Sequence, residues 1–231
     1  MSGINLMLFG VLPYLAFFTF LLVTIHRYRA QTFTYSALSS QLLENQQHFW
    51  GLVPFHYGIL LVLLGHGVAW LFPKAILAWN EKAFRLYLLE LLALVLGLLS
   101  LVGLGVILQR RLRAQRVTVV TSVADWVLYL LLLVQVASGV LVAVLHPWGS
   151  SWFASVMAPY LWSLVKLSPD LTAVAAMPWI VKLHVVNAYL LIGFFPFTRL
   201  VHILVVPNPY LWRKPQVVRW YHRPGKLEER L

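Results

Sequence analysis

The chain has 231 residues, of which 61% are hydrophobic and 11% are charged. Soluble domains are roughly 45–50% apolar, so this composition excludes an ordinary soluble fold and predicts a protein surrounded by membrane lipid. The net charge of +11 does not indicate a nucleic-acid partner, because the basic residues lie in short loops and a carboxy-terminal tail without a nucleic-acid-binding motif.

Five apolar segments are long enough to span a bilayer, which needs about 18 residues or more. They are 4–25, 49–72, 86–108, 124–145 and 179–206. The first has no basic start and no small-residue cleavage site, so we expect a retained helix instead of a signal peptide. The expected fold is an all-α integral membrane protein. It has a five-helix transmembrane domain over 1–206 and a basic tail over 207–231.

The basic residues predict the orientation of these helices, because Lys and Arg in short loops stay on the cytoplasmic side. Two of the 18 follow the first segment, four follow the third, and seven lie near the end of the fifth, as Arg199, or beyond it. The opposite loops hold Lys74, Lys82, Arg85, Lys166 and Lys182, partly balanced by Glu81 and Asp170. We therefore expect the N-terminus outside and the C-terminus in the cytoplasm.

The connection over 147–178 is the longest between two segments. Its aromatic residues are typical of a membrane interface; they are Trp148, Trp152, Tyr160 and Trp162, with Trp179 just beyond. We predict a helix over 151–167 that lies on the outer surface or dips into it. The alternative is a loop covered by a partner.

Four histidines lie inside apolar segments, which is costly in a bilayer unless each imidazole has a partner. His56 and His66 are in the second segment, and His184 and His202 are in the fifth. The two segments run in opposite directions, so equal depth pairs His66 with His184 and His56 with His202. Two such pairs can hold two iron porphyrins by bis-histidine ligation.

The spacing of the histidines does not suit two straight helices. Ten residues from His56 to His66 advance about 15 Å, whereas eighteen from His184 to His202 advance about 27 Å. We expect Pro196 to kink or tilt the fifth helix and to absorb the difference of about 12 Å.

Hydrogen bonding, proton transfer and zinc or copper binding account less well for the four histidines. An interhelical hydrogen bond suits a single buried histidine better than it suits two pairs. A proton relay would place acidic groups beside them, and a zinc or copper site would place its ligands at one depth. With no cysteine in the chain, iron–sulfur, thiolate zinc and covalent haem sites are excluded. We therefore predict two haem b groups held non-covalently.

Glycines accompany these positions and have two interpretations. They either admit a macrocycle or serve ordinary packing between helices. They are Gly58, Gly65, Gly97, Gly103, Gly105 and Gly139.

Several short motifs carry a family resemblance. They are Ser39-Ser40-Gln41-Leu42-Leu43, Phe55-His56-Tyr57-Gly58-Ile59-Leu60, Gly65-His66, Arg110-Arg111-Leu112, Leu183-His184, Phe195-Pro196-Phe197-Thr198-Arg199-Leu200-Val201-His202-Ile203 and Tyr210-Leu211-Trp212-Arg213-Lys214. Over roughly residues 10–222 the chain resembles the gamma subunit of membrane-bound respiratory nitrate reductase, a dihaem cytochrome b. The histidine spacings of ten and eighteen are those of this family.

The resemblance implies a multi-pass subunit of a prokaryotic inner membrane that oxidises quinol, such as menaquinol. Electrons would pass from an outer haem, ligated by His66 and His184, to an inner haem, ligated by His56 and His202. An iron–sulfur beta subunit and a molybdenum-containing alpha subunit would then reduce nitrate. The alternatives are the dihaem anchor of a heterodisulfide- or sulfite-type reductase and, from another class, a haem-free transporter or assembly protein.

The resemblance also places the quinol site beside Gly65, His66 and the start of the third segment. The family uses a lysine there, and Lys82 and Arg85 are both candidate counterparts. Glu90 either relays a proton or pairs with a cation such as Arg85.

The basic surface on the cytoplasmic side, including Arg110, Arg111 and the tail from Arg213, either docks the iron–sulfur subunit or reflects loop topology alone.

Overall fold

The computed structural model describes residues 3–31 and 46–205, apart from the side chains of 46–48 and 205. The motif over 39–43, the motif over 210–214 and the tail over 207–231 lie outside the described residues. Within the described ranges the secondary structure is helical, with no strand. Five helices are long and apolar enough to cross a membrane, which confirms the all-helical, five-span prediction.

The first two spanning helices are α1, Gly3–Ala30, and α2, Gln46–Leu71. A short helix α3, Pro73–Asn80, follows, and the third spanning helix is α4, Ala83–Arg113. After α5, Gln115–Val119, the fourth spanning helix is α6, Val123–Leu145. Helix α7 covers 149–165, α8 is Thr172–Ala175, and the fifth spanning helix begins with α9, Trp179–Phe194.

Helices α2 and α4 approach so closely that two glycines have no room for a side chain. A Cβ on Gly58 would overlap the Ser100 hydroxyl oxygen, and one on Gly103 would lie 2.5 Å from the Phe55 amide nitrogen. By contrast, a Cβ on Gly65 or Gly105 would meet nothing within 4 Å. For Gly58 and Gly103 the helix-packing interpretation is therefore confirmed.

Helix α7 confirms the helix predicted over 151–167, although it includes a π-helical stretch at Phe153–Met157. Its buried residues Met157, Tyr160 and Leu164 form one cluster with Phe9 of α1 and Tyr189 of α9. The Tyr160 hydroxyl donates to the Phe9 carbonyl at 2.8 Å and lies 2.9 Å from the Tyr189 hydroxyl. Burial raises the pKa of Tyr160 to about 12, so this hydroxyl stays protonated and keeps its bond to α1.

The fifth spanning helix is interrupted at Pro196, so the single span predicted over 179–206 is shorter than expected. Helix α9 ends at Phe194 and is followed by a 3-10 turn at Phe195–Phe197. Proline has no amide hydrogen and its ring clashes with the preceding turn, which explains the interruption. The backbone is extended at Thr198, and a second 3-10 turn at Arg199–Val201 leads into α10, His202–Val205.

The contact between α2 and α4 generates a prediction. Gly103→Ala should lower the free energy of unfolding by about 1–3 kcal/mol, because the added methyl group would push α4 away from the backbone of α2 at Phe55. Thermal unfolding of the purified protein in detergent measures the loss. Gly105→Ala, on the same helix with open space around it, is the matched control and should be at least as stable as the unmodified chain. Equal effects of the two substitutions would contradict the packing role.

Candidate functional site

The structure brings the four intramembrane histidines together in two pairs. The ring centres of His66 and His184 lie 6.5 Å apart with their planes at 36°. Those of His56 and His202 lie 6.2 Å apart with their planes at 65°. We call the part of the bundle around the first pair the His66 end and the part around the second pair the His56 end.

The break in the fifth spanning helix explains how unequal spacings form equal pairs. Residues 195–201 leave the α-helical path, and the chain changes direction at Thr198 before it reaches His202. His202 is thus placed opposite His56 by a separate turn instead of by eighteen residues of straight helix.

Both separations match two imidazoles on opposite sides of one metal ion. A metal–imidazole bond is about 2.0–2.1 Å and a ring centre lies about 1.1 Å from its nitrogen, which gives roughly 6.3 Å between ring centres. Among the described residues, no three His, Cys, Asp or Glu side chains are grouped to hold a metal. The arrangement therefore suits two separate axial pairs, and it fits the haem groups that the sequence predicts.

Three of the histidines use Nδ1 within their own helical segment. Nδ1 lies 2.9 Å from the Leu52 carbonyl in His56, 2.8 Å from the Val62 carbonyl in His66, and 2.7 Å from the Arg199 carbonyl in His202. A carbonyl oxygen only accepts, so Nδ1 carries the proton in each ring. The lone pair is then on Nε2, which is the tautomer a metal ligand needs.

His184 differs because its partners come from α6. Its Nδ1 lies 3.0 Å from the Ser138 hydroxyl oxygen and 3.1 Å from the Gln135 carbonyl. The Gln135 side-chain nitrogen lies 3.2 Å from Nδ1 and 3.1 Å from Nε2. Asn187, which is 4% exposed, donates to the Leu131 carbonyl and to the Gln135 side-chain oxygen.

This network was not predicted from the sequence, although a signal for it was present. Gln135 and Ser138 are three residues apart in an apolar span, and Asn187 follows His184 by three residues. Polar groups at that spacing share a helix face, and polar groups in a membrane helix usually face another helix.

Gly139 and Phe153 shape the space around the first pair. A Cβ on Gly139 would lie 2.9 Å from Cε1 of His184, so a side chain at 139 would displace the ring. The Phe153 ring meets the edge of His66, with ring centres 5.3 Å apart. Gly65 has open space beside it, which leaves the His66 side of this end accessible.

The predicted quinol-site residues Lys82, Arg85 and Glu90 lie at the start of α4 or within its first turns but have different surroundings. Lys82 is exposed just before α4 begins. Arg85 donates to the Ala78 carbonyl at 3.1 Å, and its guanidinium lies over the Trp79 ring. Their roles at a quinol site stay predictions.

Glu90 anchors the beginning of α7. Its carboxylate accepts hydrogen bonds from the amides of Gly149 and Ser150, at 3.1 and 2.8 Å, and from the Ser150 hydroxyl at 2.6 Å. The side-chain amide nitrogen of Asn80 also donates hydrogen bonds of 2.9 Å to the hydroxyls of Ser150 and Ser151. A negative charge is favourable at a helix N-terminus. In the structure, then, the partners of Glu90 belong to α7, whereas Arg85 binds elsewhere.

An ion pair fixes the turn that carries His202. Arg199 Nε lies 2.9 Å from the Asp125 carboxylate, whose other oxygen accepts from the Ser122 amide at 2.9 Å. Arg199 also donates to the Val120 carbonyl at 2.9 Å. On the other side, Arg27 of α1 donates to the Pro196 carbonyl. The broken segment is therefore held by α1 and α6.

Two arginines predicted at a docking surface are buried inside the chain. Arg110 is 2% exposed and Arg111 is 5% exposed. Arg111 donates to the hydroxyls of Tyr129 and Thr121, at 2.8 and 2.7 Å. The expectation that these two side chains form an accessible basic surface is therefore wrong, because both are enclosed within the bundle.

The sequence matches a family model described as nitrate reductase gamma subunit over residues 5–221. The nitrate reductase gamma chain of Bacillus subtilis is 31% identical over 215 residues, covering 92% of this chain and 96% of the relative. The respiratory nitrate reductase 1 gamma chain of Escherichia coli is 34% identical over 232 residues, covering 96% and 100% respectively. The respiratory nitrate reductase 2 gamma chain of Escherichia coli is 32% identical over 225 residues, covering 94% of this chain and 97% of the relative.

The Asp125–Arg199 pair generates a second prediction. In Asp125→Asn, the side-chain oxygen should keep its hydrogen bond from the Ser122 amide. The new NH2 group would then face the Arg199 guanidinium, donor against donor. Losing one partner of a buried pair costs about 3–5 kcal/mol, and the partial exposure of Arg199 moves the cost towards the lower value. Hydrogen–deuterium exchange at 199–205 should then become faster than in the unmodified protein. Asp170→Asn, at an exposed local contact with Thr172, is the control. If exchange at 199–205 is unchanged in Asp125→Asn, the ion pair does not hold this turn.

Proposed function

The chain belongs to the nitrate reductase gamma subunit family, and we propose that it carries electrons from quinol across the membrane through two b-type haems. Membership makes it a membrane-anchored electron-transfer subunit of an oxidoreductase complex. The observation that supports the haem proposal is the pairing of four histidines at separations suited to axial ligation.

The ligands proposed for the two haems come from three helices. His66 of α2 and His184 of α9 hold one group, and His56 of α2 and His202 of α10 hold the other. Bound haem iron accepts and releases one electron at a time. The protein contributes ring orientation, the Nε2 lone pairs and a water-poor surrounding. The two α2 ligands are ten residues apart, about 15 Å along the helix.

Quinol oxidation is proposed at the His66 end. A quinol loses two protons as it gives up two electrons, so its site needs hydrogen-bonding groups and a route for protons. Exposed Lys82 supports this placement, because a cation can stabilise negative charge on a quinol oxygen. Open space at Gly65 supports it as well. Arg85 and Glu90 lie in the same region; Glu90 also anchors α7, which carries Phe153 to His66.

The orientation and partners are part of the same proposal. The distribution of Lys and Arg supports an outward His66 end and a cytoplasmic His56 end. Electrons would then move inward to an iron–sulfur beta subunit and a molybdenum-containing alpha subunit in a prokaryotic inner membrane. Protons would be released at the outer end while electrons move inward, so the transfer would separate charge across the membrane. The basic tail over 207–231 supplies a surface for docking the soluble subunits.

Histidine replacement tests the haem assignment. His66→Ala or His184→Ala should reduce the haem content of the purified complex from two to one per chain, because one pair loses a ligand. Haem extraction with pyridine, normalised to protein, measures the content. His26→Ala removes an exposed histidine and should retain both haems. Two haems in both ligand variants would contradict the pairing.

Replacement of the acidic and basic groups tests the quinol site. Lys82→Ala and Glu90→Gln should each slow haem reduction by quinol about 10-fold or more, since general acid–base groups contribute at least that much. Artificial donors to the soluble subunits should still support nitrate reduction in both variants. Lys74→Ala, on α3, is the matched lysine control.

A further control separates chemistry from structure at Glu90. Ser150→Ala removes one hydrogen bond to the carboxylate and leaves its charge in place. If Glu90 relays protons, Glu90→Gln should be the slower variant. Equal rates in the two variants would assign Glu90 to anchoring α7 alone, and normal rates in Lys82→Ala and Glu90→Gln would place quinol oxidation elsewhere.

A further inference from the structure

The hydrogen-bond network beside His184 has a fixed polarity. Asn187 donates to the Leu131 carbonyl at 2.9 Å, so its side-chain nitrogen must face α6. That nitrogen also donates to the Gln135 side-chain oxygen at 2.8 Å. The opposite end of the Gln135 amide, its NH2 group, is therefore turned towards His184.

The same polarity fixes the tautomer of His184. The Ser138 hydroxyl donates to the Gln135 carbonyl at 3.1 Å, which leaves its oxygen free to accept from Nδ1 of His184 at 3.0 Å. The Gln135 NH2 nitrogen lies 3.2 Å from Nδ1 and 3.1 Å from Nε2, so it sits beside the imidazole ring and not on the lone-pair axis of Nε2. The Gln135 backbone carbonyl, 3.1 Å from Nδ1, can only accept a hydrogen bond from it. Nδ1 is thus the protonated nitrogen, and Nε2 is the nitrogen available to a metal.

This arrangement distinguishes His184 from the other three histidines. His56, His66 and His202 bond to carbonyls in their own segments, whereas His184 is oriented by a second helix. Gln135, Ser138 and Gly139 share the face of α6 that meets its ring. Gly139 leaves room for the ring itself, since a Cβ there would lie 2.9 Å from Cε1.

We propose that Gln135 and Asn187 are positioning residues that hold the positive end of an amide dipole against His184 and so set the reduction potential of the His66–His184 centre. Asn187 acts through Gln135, because its bond keeps the amide from rotating by half a turn. This inference rests on the proposed function, since it needs haem at that pair.

The direction of the effect follows from electrostatics. Reduction lowers the positive charge at a haem, and the positive end of a dipole nearby stabilises the less positive state. The low dielectric of the bundle strengthens such an interaction. Removal of the amide should therefore favour the oxidised form and lower the reduction potential of this centre. The His56–His202 centre lies at the other end of α2 and should keep its potential.

The experiment is a redox titration of the assembled complex in membranes, followed by haem absorption. Gln135→Leu and Asn187→Leu should each lower the potential of one of two resolved components and leave the other unchanged. Gln109→Leu, at an exposed position of α4, is the matched control and should change neither. His66→Ala identifies the component that belongs to the His66–His184 pair.

The outcomes separate this inference from the proposed function. If the unmodified complex contains no haem, the proposed function fails. If two components titrate and Gln135→Leu changes neither, or both equally, the network does not tune the centre and the inference is overturned. Loss of haem without a change in the potential of the remaining His66–His184 sites would assign the network to packing alone.

Discussion

Hydrocarbon offers no hydrogen-bond partner, so a polar group in the bundle is costly unless it finds one within the protein. This constraint decides how the four imidazoles lie. Each imidazole has two ring nitrogens, and Nδ1 donates a hydrogen bond to a nearby backbone carbonyl. For His56 and His66 that carbonyl is one turn earlier, at Leu52 and Val62. Nε2 then keeps its lone pair, and the ring centres of His56 and His66 lie 6.2 and 6.5 Å from those of His202 and His184 in the fifth span. The pairs are therefore a consequence of satisfying the imidazole donors within the chain as well as of sequence spacing.

The two ends of the bundle meet this constraint with different elements. At the His56 end the partner histidine is on a short turn, and the backbone interruption at Pro196 deprives that turn of support from α9. Arg27 and the Asp125–Arg199 pair supply the support instead. At the His66 end, His184 is within an unbroken helix, so its position needs no such ties. Its orientation comes from α6, and α7 closes the space beside His66.

The sequence was sufficient for the spans, which depend on hydrophobic length, and for the pairing of the histidines, which depends on their order along two antiparallel spans. It was insufficient where rotation of a helix decides the outcome. Arg110 and Arg111 end an apolar span, as a topology signal would, yet both side chains turn inward, and Arg111 bonds Tyr129 and Thr121. Likewise, the carboxylate of Glu90 meets amides 59 and 60 residues away. Charge pattern alone does not reveal such contacts, because it contains no information on which helix face is covered.

The asymmetry between the ends bears on how one chain can give direction to electron flow. In the proposed function, two haems with the same types of axial ligand would differ through the surroundings of those ligands. Here three rings bond within their own segments, and the fourth faces an amide dipole and a hydroxyl from a neighbouring helix. Because Asn187 orients that amide through the Gln135 side-chain oxygen, the proposed tuning would act at the His66 end. Under this proposal a change at Gln135 or Asn187 would alter the His66–His184 centre and leave the Nδ1 bonds of His56 and His202 in place.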